Sequence, residues 1–494
     1  MKTPISRRIL LLGMALMLPC YAFTVLNVLL SPWPLYDRSR PALLALTALC
    51  TLGLLLALRA ADRPFFAKNE RLVLLAAAVF YFLVQLGMAA VLRFDPITDA
   101  EQCFTAAGII ADGGVLSDIE RPTIYFSRYP HNLGMVYLLA AIFRLFGALG
   151  WADRYMQAAL VCSLLFTLGL MCAARACRRM GGVAAQTRML ILFASCLPML
   201  YCTSELYTDA FSLAFPMTSV YCCLRLRDSR TSRGRVLWAL LFGLSAFVGA
   251  QIRFTAIIAA IACLIALALE RRGRALLGAA LALALCFAVG GAAMDRITDT
   301  QIPRETIEQN ELPKLHYIAM GLPIHEDEGY GQYGDGGWLK FSTRIKDPDE
   351  RRAALRTQVI DRVYYLRYPD RLLNLLSRKN LSTFGTGTFV LNEIIEGDAH
   401  EPDNAVKQVI FSQGRCYRAY AHLTTALLLA QMLLACAACV QALRRRCADA
   451  APLFIALVGI FLFLCMWETR GRYFFQYVPV LLCAGAMLEV KTKS

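Results

Sequence analysis

Three carboxylates crowd one short stretch, Arg93-Phe94-Asp95-Pro96-Ile97-Thr98-Asp99-Ala100-Glu101, directly after an apolar run. A carboxylate at such a boundary can take a proton from a hydroxyl, so Asp99, Glu101 and Asp95 are the candidate bases. A second acidic pair, Glu205 and Asp209, lies in Ser204-Glu205-Leu206-Tyr207-Thr208-Asp209, again at the mouth of an apolar run. The complementary charge comes from Arg253 and from the turn Trp467-Glu468-Thr469-Arg470-Gly471-Arg472-Tyr473-Phe474-Phe475. A planar guanidinium matches phosphate oxygens, which makes Arg472, Arg470 and Arg253 candidate phosphate ligands. Tyr129 and His131 in Tyr125-Phe126-Ser127-Arg128-Tyr129-Pro130-His131-Asn132, together with Glu205 and Tyr473, are candidate substrate contacts. Each motif also has a plain structural use. Thr98 with Glu101, or Asp99 with Gln102, has capping-box spacing, Asp209 fits a helix N-cap, and the last turn fits an interfacial aromatic belt with snorkelling arginines.

The elements that hold these residues are set by composition. The 494-residue chain is 58% hydrophobic and 18% charged, with a mean hydropathy of +0.51, which excludes an ordinary soluble enzyme, a disordered chain and a collagen. Apolar runs long enough for a helix to cross about 30 Å of hydrocarbon recur throughout, and this excludes a β-barrel. Spanning helices are predicted at 9–30, 41–58, 72–92, 155–174, 187–203, 209–226, 235–251, 254–269, 275–293, 419–442, 451–467 and 473–489. The net charge of +15 sits in short links between these runs, as retained cytoplasmic loops require, so nucleic acid is not an expected partner. The links are marked by Arg59, Arg63, Lys68 and Arg71, by Arg175, Arg178, Arg179 and Arg188, by Arg225 to Arg235, by Arg271 to Arg274, by Arg444 to Arg446, and by the tail Lys491 and Lys493. All fall on one side, with both termini cytoplasmic, only if the apolar piece 132–147 does not cross. At about 24 Å it is also short for the task.

This predicts an all-α polytopic membrane protein of about twelve spanning helices, a juxtamembrane helix and a mainly helical extracytoplasmic segment. The divisions are a helix pair at 1–58, a membrane module at 59–293 with the external acidic loop 93–154, an extracytoplasmic segment at 294–418, and C-terminal spans at 419–494. Residues 100–111 read as a short amphipathic helix on the membrane surface, and helices are predicted at 351–366 and 369–376. The stretch Tyr330-Gly331-Gln332-Tyr333-Gly334-Asp335-Gly336-Gly337-Trp338 suits either sugar stacking or a turn-rich loop. Most of the eighteen cysteines lie inside apolar runs as small hydrophobes, while Cys103 and Cys416 fall in external segments. None of His131, His316, His325, His400 and His422 has metal-ligand spacing, so no zinc site is expected.

The order of these pieces resembles the GT-C glycosyltransferases: a surface acidic motif, a Tyr-Pro segment leading to Leu145-Phe146-Gly147, a later Thr208-Asp209, and Arg472-Tyr473-Phe474-Phe475. Within them it is most similar to glycosyltransferase family 39, which contains protein O-mannosyltransferases and aminoarabinose transferases. The resemblance spans roughly residues 70–490. It implies Asp99 as the catalytic carboxylate and Asp209 as the second acid, although that family writes adjacent Asp-Glu where this chain has Asp99-Ala100-Glu101, so Asp95, Asp99 and Glu101 stay open as the base. The donor it implies is a polyprenyl-phosphate sugar, the acceptor a glycan, lipid or protein, and the setting the cell membrane with its lipids. No cofactor is required, a divalent cation being the one optional helper. The competing reading is a multi-span transporter or flippase of lipid-linked envelope precursors. Against it stand the scarcity of charges at span centres and the lack of a visible inverted repeat.

Overall fold

The computed structural model describes residues 5–31, 40–396 and 401–490. Lys491, Lys493 and His400 lie outside the described residues. The described chain is all helix and turn, without a strand. Its principal helices are α1 (Ile5–Ala15), α2 (Met17–Leu30), α3 (Arg40–Arg59), α4 (Glu70–Val91), α5 (Thr98–Ala111), α6 (Glu120–Arg128), α7 (Leu133–Ala148), α8 (Arg154–Ala194), α9 (Ala214–Asp228), α10 (Ser232–Ile252), α11 (Ile257–Leu269), α12 (Gly273–Asp299), α13 (Lys314–Gly321), α14 (Pro348–Tyr365), α15 (Pro369–Phe384), α16 (Tyr417–Arg444), α17 (Ala451–Met466) and α18 (Val478–Ala486).

Eight helices among the described residues are long and apolar enough to cross a membrane, and Phe254–Leu269 and Ala451–Met466 are shorter apolar ones. The remaining expected spans are broken, and prolines mark the breaks. The run at 187–203 is the last part of α8, which leaves helical geometry at Gly181 and Gly182, followed by two 3-10 turns beginning around Pro198. In the first turn of α9, Pro216 has no N–H to give the Ser212 carbonyl; the Gln476 side chain reaches that oxygen instead, at 3.4 Å. The run at 473–489 restarts at Val478 with Pro479 in its first turn.

Charge sorts the two ends of the bundle. The basic links converge: Arg175 and Arg178 both meet Glu70, Arg188 meets Asp62, Arg179 meets Asp228, Arg227 meets Glu270, and Arg445 meets Glu489. At the opposite end Arg93 bridges Asp153 at 2.7 Å, joining the end of α4 to the start of α8. With the turn that precedes it, α7 forms the segment Pro130–Ala148, the least apolar of the eight that are long and apolar enough to cross. Both of its ends are nevertheless tied to this second end of the bundle. Asn132 before it bonds Tyr207, and Asp153 after it bonds Arg93.

The surface helix expected at 100–111 is present as α5, packed along α7, and the external helices expected at 351–366 and 369–376 are present as α14 and a longer α15. All eighteen cysteines are free, Cys103 buried and Cys416 exposed. The glycine-aromatic stretch divides: Trp338 is buried beneath Arg362, while Tyr333 projects towards Tyr129.

Candidate active site

The capping readings of the two acidic motifs do not hold. Helix α5 has no side-chain cap, its N-cap position is Ile97, and Thr98 takes φ of 51°. A β-branched residue in that region is strained, and such strain is held only where surrounding structure fixes it. The carboxylate of Asp99 is thereby turned away from the backbone: Oδ1 accepts the Tyr125 hydroxyl at 2.7 Å, and Oδ2 lies 4.0 Å from Arg472 Nη2. Asn132 donates to Tyr125 Oη at 3.0 Å and accepts from Tyr207 at 3.3 Å. Burial, then the neighbouring Tyr207 and Asp99, push the Tyr125 phenol far above its ordinary range, so it stays a donor to Asp99.

Asp209 is likewise not a cap. It is fully buried and pairs with Arg253 Nη1 at 2.6 Å, while Arg472 Nη1 stands 3.8 Å from its other oxygen. Arg253 also donates to Thr208 at 3.0 Å and lies over the Tyr473 ring at 4.7 Å. Glu205 is buried beside this group. Burial, then the charge of Asp209, hold its carboxyl well above the usual range. Its neighbour Leu206 is a second strained position, with φ of 43°. Glu468 accepts from Tyr473.

Arg472 sits between the two acids with its side chain only 16% exposed. At 3.8 and 4.0 Å neither carboxylate accepts a hydrogen bond from it, and its Nε is buried without a partner. Of the other sequence candidates, Arg470 turns outward to Glu393 on the helix Leu391–Glu396. Glu101 bridges Arg121 at 3.0 Å, and Asp95 is exposed with no ion pair among the described residues. The site therefore gathers Asp99, Asp209, Glu205, Arg253, Arg472 and Tyr473, leaves Arg470 and Asp95 apart, and holds Glu101 at the rim of the cleft in its bridge to Arg121.

Two further walls complete it. A cleft of about 490 Å³ opens in front of Asp99, lined by Glu101, Arg121, Tyr125, Arg128 and Tyr129 among others. Above it runs a row of rings. The Tyr129 and Tyr333 hydroxyls meet at 2.7 Å, His131 lies edge-on between Tyr129 and Tyr317, and Tyr317 stacks on Trp467 at 5.2 Å. Tyr125, Asn132 and Tyr207 were not singled out in the sequence; the kink at Pro130 and the separate strand of chain at 207 hide their convergence. Gly134 permits it, since a Cβ there would stand 2.1 Å from the Gln251 carbonyl, and this close approach sets α7 against the end of α10 that carries Arg253. Among the described residues no group of three His, Cys, Asp or Glu side chains gathers around a cation position.

The C-terminal turn is held from outside by α15. Lys379 donates to the Gly321 carbonyl at 2.5 Å and the Trp467 carbonyl at 2.6 Å, and Thr383 bonds Thr469. Burial depresses the Lys379 ammonium to about 7, a neutral amine that still has two N–H donors for its two carbonyls. The unfolded chain keeps this proton up to about pH 10.4, so between pH 7 and 10 it binds more protons than the folded chain, and this group's contribution to stability rises with pH there. Thermal unfolding of the solubilised protein at pH 7, 8 and 9 should show a rising midpoint, corresponding to a gain in unfolding free energy of up to about 1.4 kcal/mol per pH unit. In Lys379→Met that slope should flatten; an unchanged slope would remove Lys379 as its source.

A family model described as "Conserved hypothetical integral membrane protein" matches residues 42–493. No curated protein matches. Among solved structures, the crystal structure of ArnT from Cupriavidus metallidurans bound to undecaprenyl phosphate aligns with 85% of this chain and 78% of that one, at 14% identity and a TM-score of 0.37. With nearly its whole length matched, from the α3 helix to the last residues of the chain, this multi-pass membrane protein belongs to the conserved hypothetical integral membrane protein family.

Proposed function

We propose that the chain is an integral membrane glycosyltransferase that moves a sugar from a polyprenyl-phosphate donor to an acceptor hydroxyl on the extracytoplasmic face, with inversion. The observation that carries this reading is Arg472: a buried guanidinium, without a hydrogen-bond acceptor, flanked by one half-exposed carboxylate and one buried one. A buried charge without acceptors is costly unless an anion completes it. A phosphate does so, with fork geometry suited to two oxygens. Asp99 removes the acceptor proton as the acceptor oxygen bonds to the anomeric carbon, and the carbon–oxygen bond to phosphate breaks with its electron pair passing to the phosphate oxygen that Arg472 meets. Asp209, Glu205 and Arg253 hold Arg472 in place, and the rings of Tyr129, His131 and Tyr317 offer faces for the sugar. The order of sequence motifs resembling GT-C enzymes supports the same reaction class.

The test is incubation of purified protein with a radiolabelled polyprenyl-phosphate sugar and membrane extract. A transferase releases polyprenyl phosphate and yields a labelled glycoside, whereas a carrier moves the intact lipid between leaflets without cleaving it, and that outcome would overturn the reading. The orientation has its own check. Cys416, the exposed thiol, should react with an impermeant maleimide in intact cells. In a Cys416→Ser background, Arg230→Cys should react only after permeabilisation, and the reverse pattern would place the site on the cytoplasmic face.

A further inference from the structure

A second cavity, about 580 Å³, lies at the other end of the bundle and is lined by Arg175, Arg178, Arg179, Arg225, Tyr221 and Asp228 with the backbone of the α8 break. It is remote from Asp99. Tyr155, which bonds the Ser204 carbonyl beside Glu205, and Arg175 are both on α8, and twenty residues of helix rise about 30 Å. Four arginines face this cavity against two acids, since Glu70 takes Arg175 and Arg178 and Asp228 takes Arg179. No carboxylate among the described residues pairs with Arg225. Its guanidinium is instead oriented by the Trp238 ring at 4.1 Å and the Tyr221 hydroxyl at 3.0 Å. Gly182, at φ of 74°, breaks α8 here and opens the space between its two parts.

The surface leading to the cavity is apolar. Helix α9 lies between α8 and α10. On α8 the exposed Leu164, Leu168 and Met171 form one stripe that continues into Arg175 and Arg178 on the same helical face. On α10 the exposed Leu237, Leu241 and Leu244 flank the other side. A groove with apolar walls on two membrane helices and a basic end has the shape and charge of a lipid: chain along the helices, head at the arginines. We propose that this groove is a specific seat for one anionic phospholipid, its phosphate held by Arg225 and Arg178 and an acyl chain lying along α8 and α10. The apolar approach favours a lipid over a soluble phosphate, which would gain nothing from the stripe.

The test is native mass spectrometry of the detergent-purified full-length protein titrated with phosphatidylglycerol, phosphatidylcholine or inorganic phosphate. One phosphatidylglycerol should be retained at least tenfold more strongly than phosphatidylcholine, and millimolar phosphate should not displace it. Arg225→Gln, and separately Arg178→Gln, should each weaken retention by about tenfold, while Arg233→Gln, on the same link but outside the cavity, should not. Having two independent variants covers the case in which one fails to fold, with size-exclusion profiles as the folding control. Equal retention of both lipids, displacement by phosphate, or normal retention in both cavity variants would each overturn the proposal.

Discussion

Asp99→Asn is expected to reduce sugar transfer by about 10²-fold or more while leaving insertion, folding and donor binding close to normal. The amide keeps the size of the side chain and accepts the Tyr125 hydroxyl through its own oxygen, so the 2.7 Å contact survives and only proton acceptance is lost. The comparison that gives the result its meaning is with the other two acids of the same stretch. Glu101→Gln breaks an exposed bridge to Arg121, worth at most about 1 kcal/mol, and Asp95→Asn touches no ion pair, so both should turn over within about threefold of the unaltered protein. A second prediction follows from the phenol. Tyr125→Phe removes the donor that orients Asp99 and should lower turnover by about tenfold with an unchanged donor half-saturation. Full activity in Asp99→Asn would move the base elsewhere, and full activity in all three single variants and their combination would end the enzyme reading.

The choice among these three acids shows where sequence reasoning stops. Apolar runs and basic links are local signals, and they anticipated both the helical passes and the gathering of Arg175, Arg178, Arg188 and Arg227 with their acidic partners at one end. Length did not decide the piece at 132–147: with the turn before it, Pro130–Ala148 is long and apolar enough to cross, and it is the contacts of Asn132 and Asp153 on either side, not its length, that tie both flanks to one end of the bundle. What separates Asp99 from Asp95 and Glu101 is not local. It depends on Tyr125 from α6 and on Arg472 from the last turn, both brought in by packing. Capping spacing misled for a related reason, because the positive φ of Thr98 breaks the geometry that the spacing assumes. The same limit applies to the broken spans. Pro198, Pro216 and Pro479 are visible in the sequence, but only packing reveals that Gln476 serves the carbonyl left open before Pro216.

Arg470 and Arg472 stand two residues apart, and the backbone between them decides which one meets the site. Arg470 is extended, with φ of −158° and ψ of 158°, and the helix begins at Gly471, so the two side chains leave in different directions: Arg470 to Glu393 at the surface and Arg472 inward between Asp99 and Asp209. Arg253 is already committed to Asp209 at 2.6 Å. Arg472 therefore has the donors open for a phosphate. Arg472→Lys keeps one positive charge but replaces the fork with a point charge, so donor half-saturation should rise by about tenfold. Turnover should fall further, by about 10²-fold, because the leaving phosphate gains charge in the transition state and loses one of its two hydrogen bonds. Arg472→Ala should be worse on both counts and should also lower stability, since the buried Asp209 loses a counter-charge. Arg470→Ala, by contrast, removes a half-exposed bridge and should leave half-saturation within about twofold. Donor titrations on purified Arg472→Lys, Arg472→Ala and Arg470→Ala separate these cases: unchanged half-saturation and turnover in both Arg472 variants would reduce this arginine to a structural counter-ion for Asp209, and an Arg470 variant that loses donor binding would move the clamp to the surface.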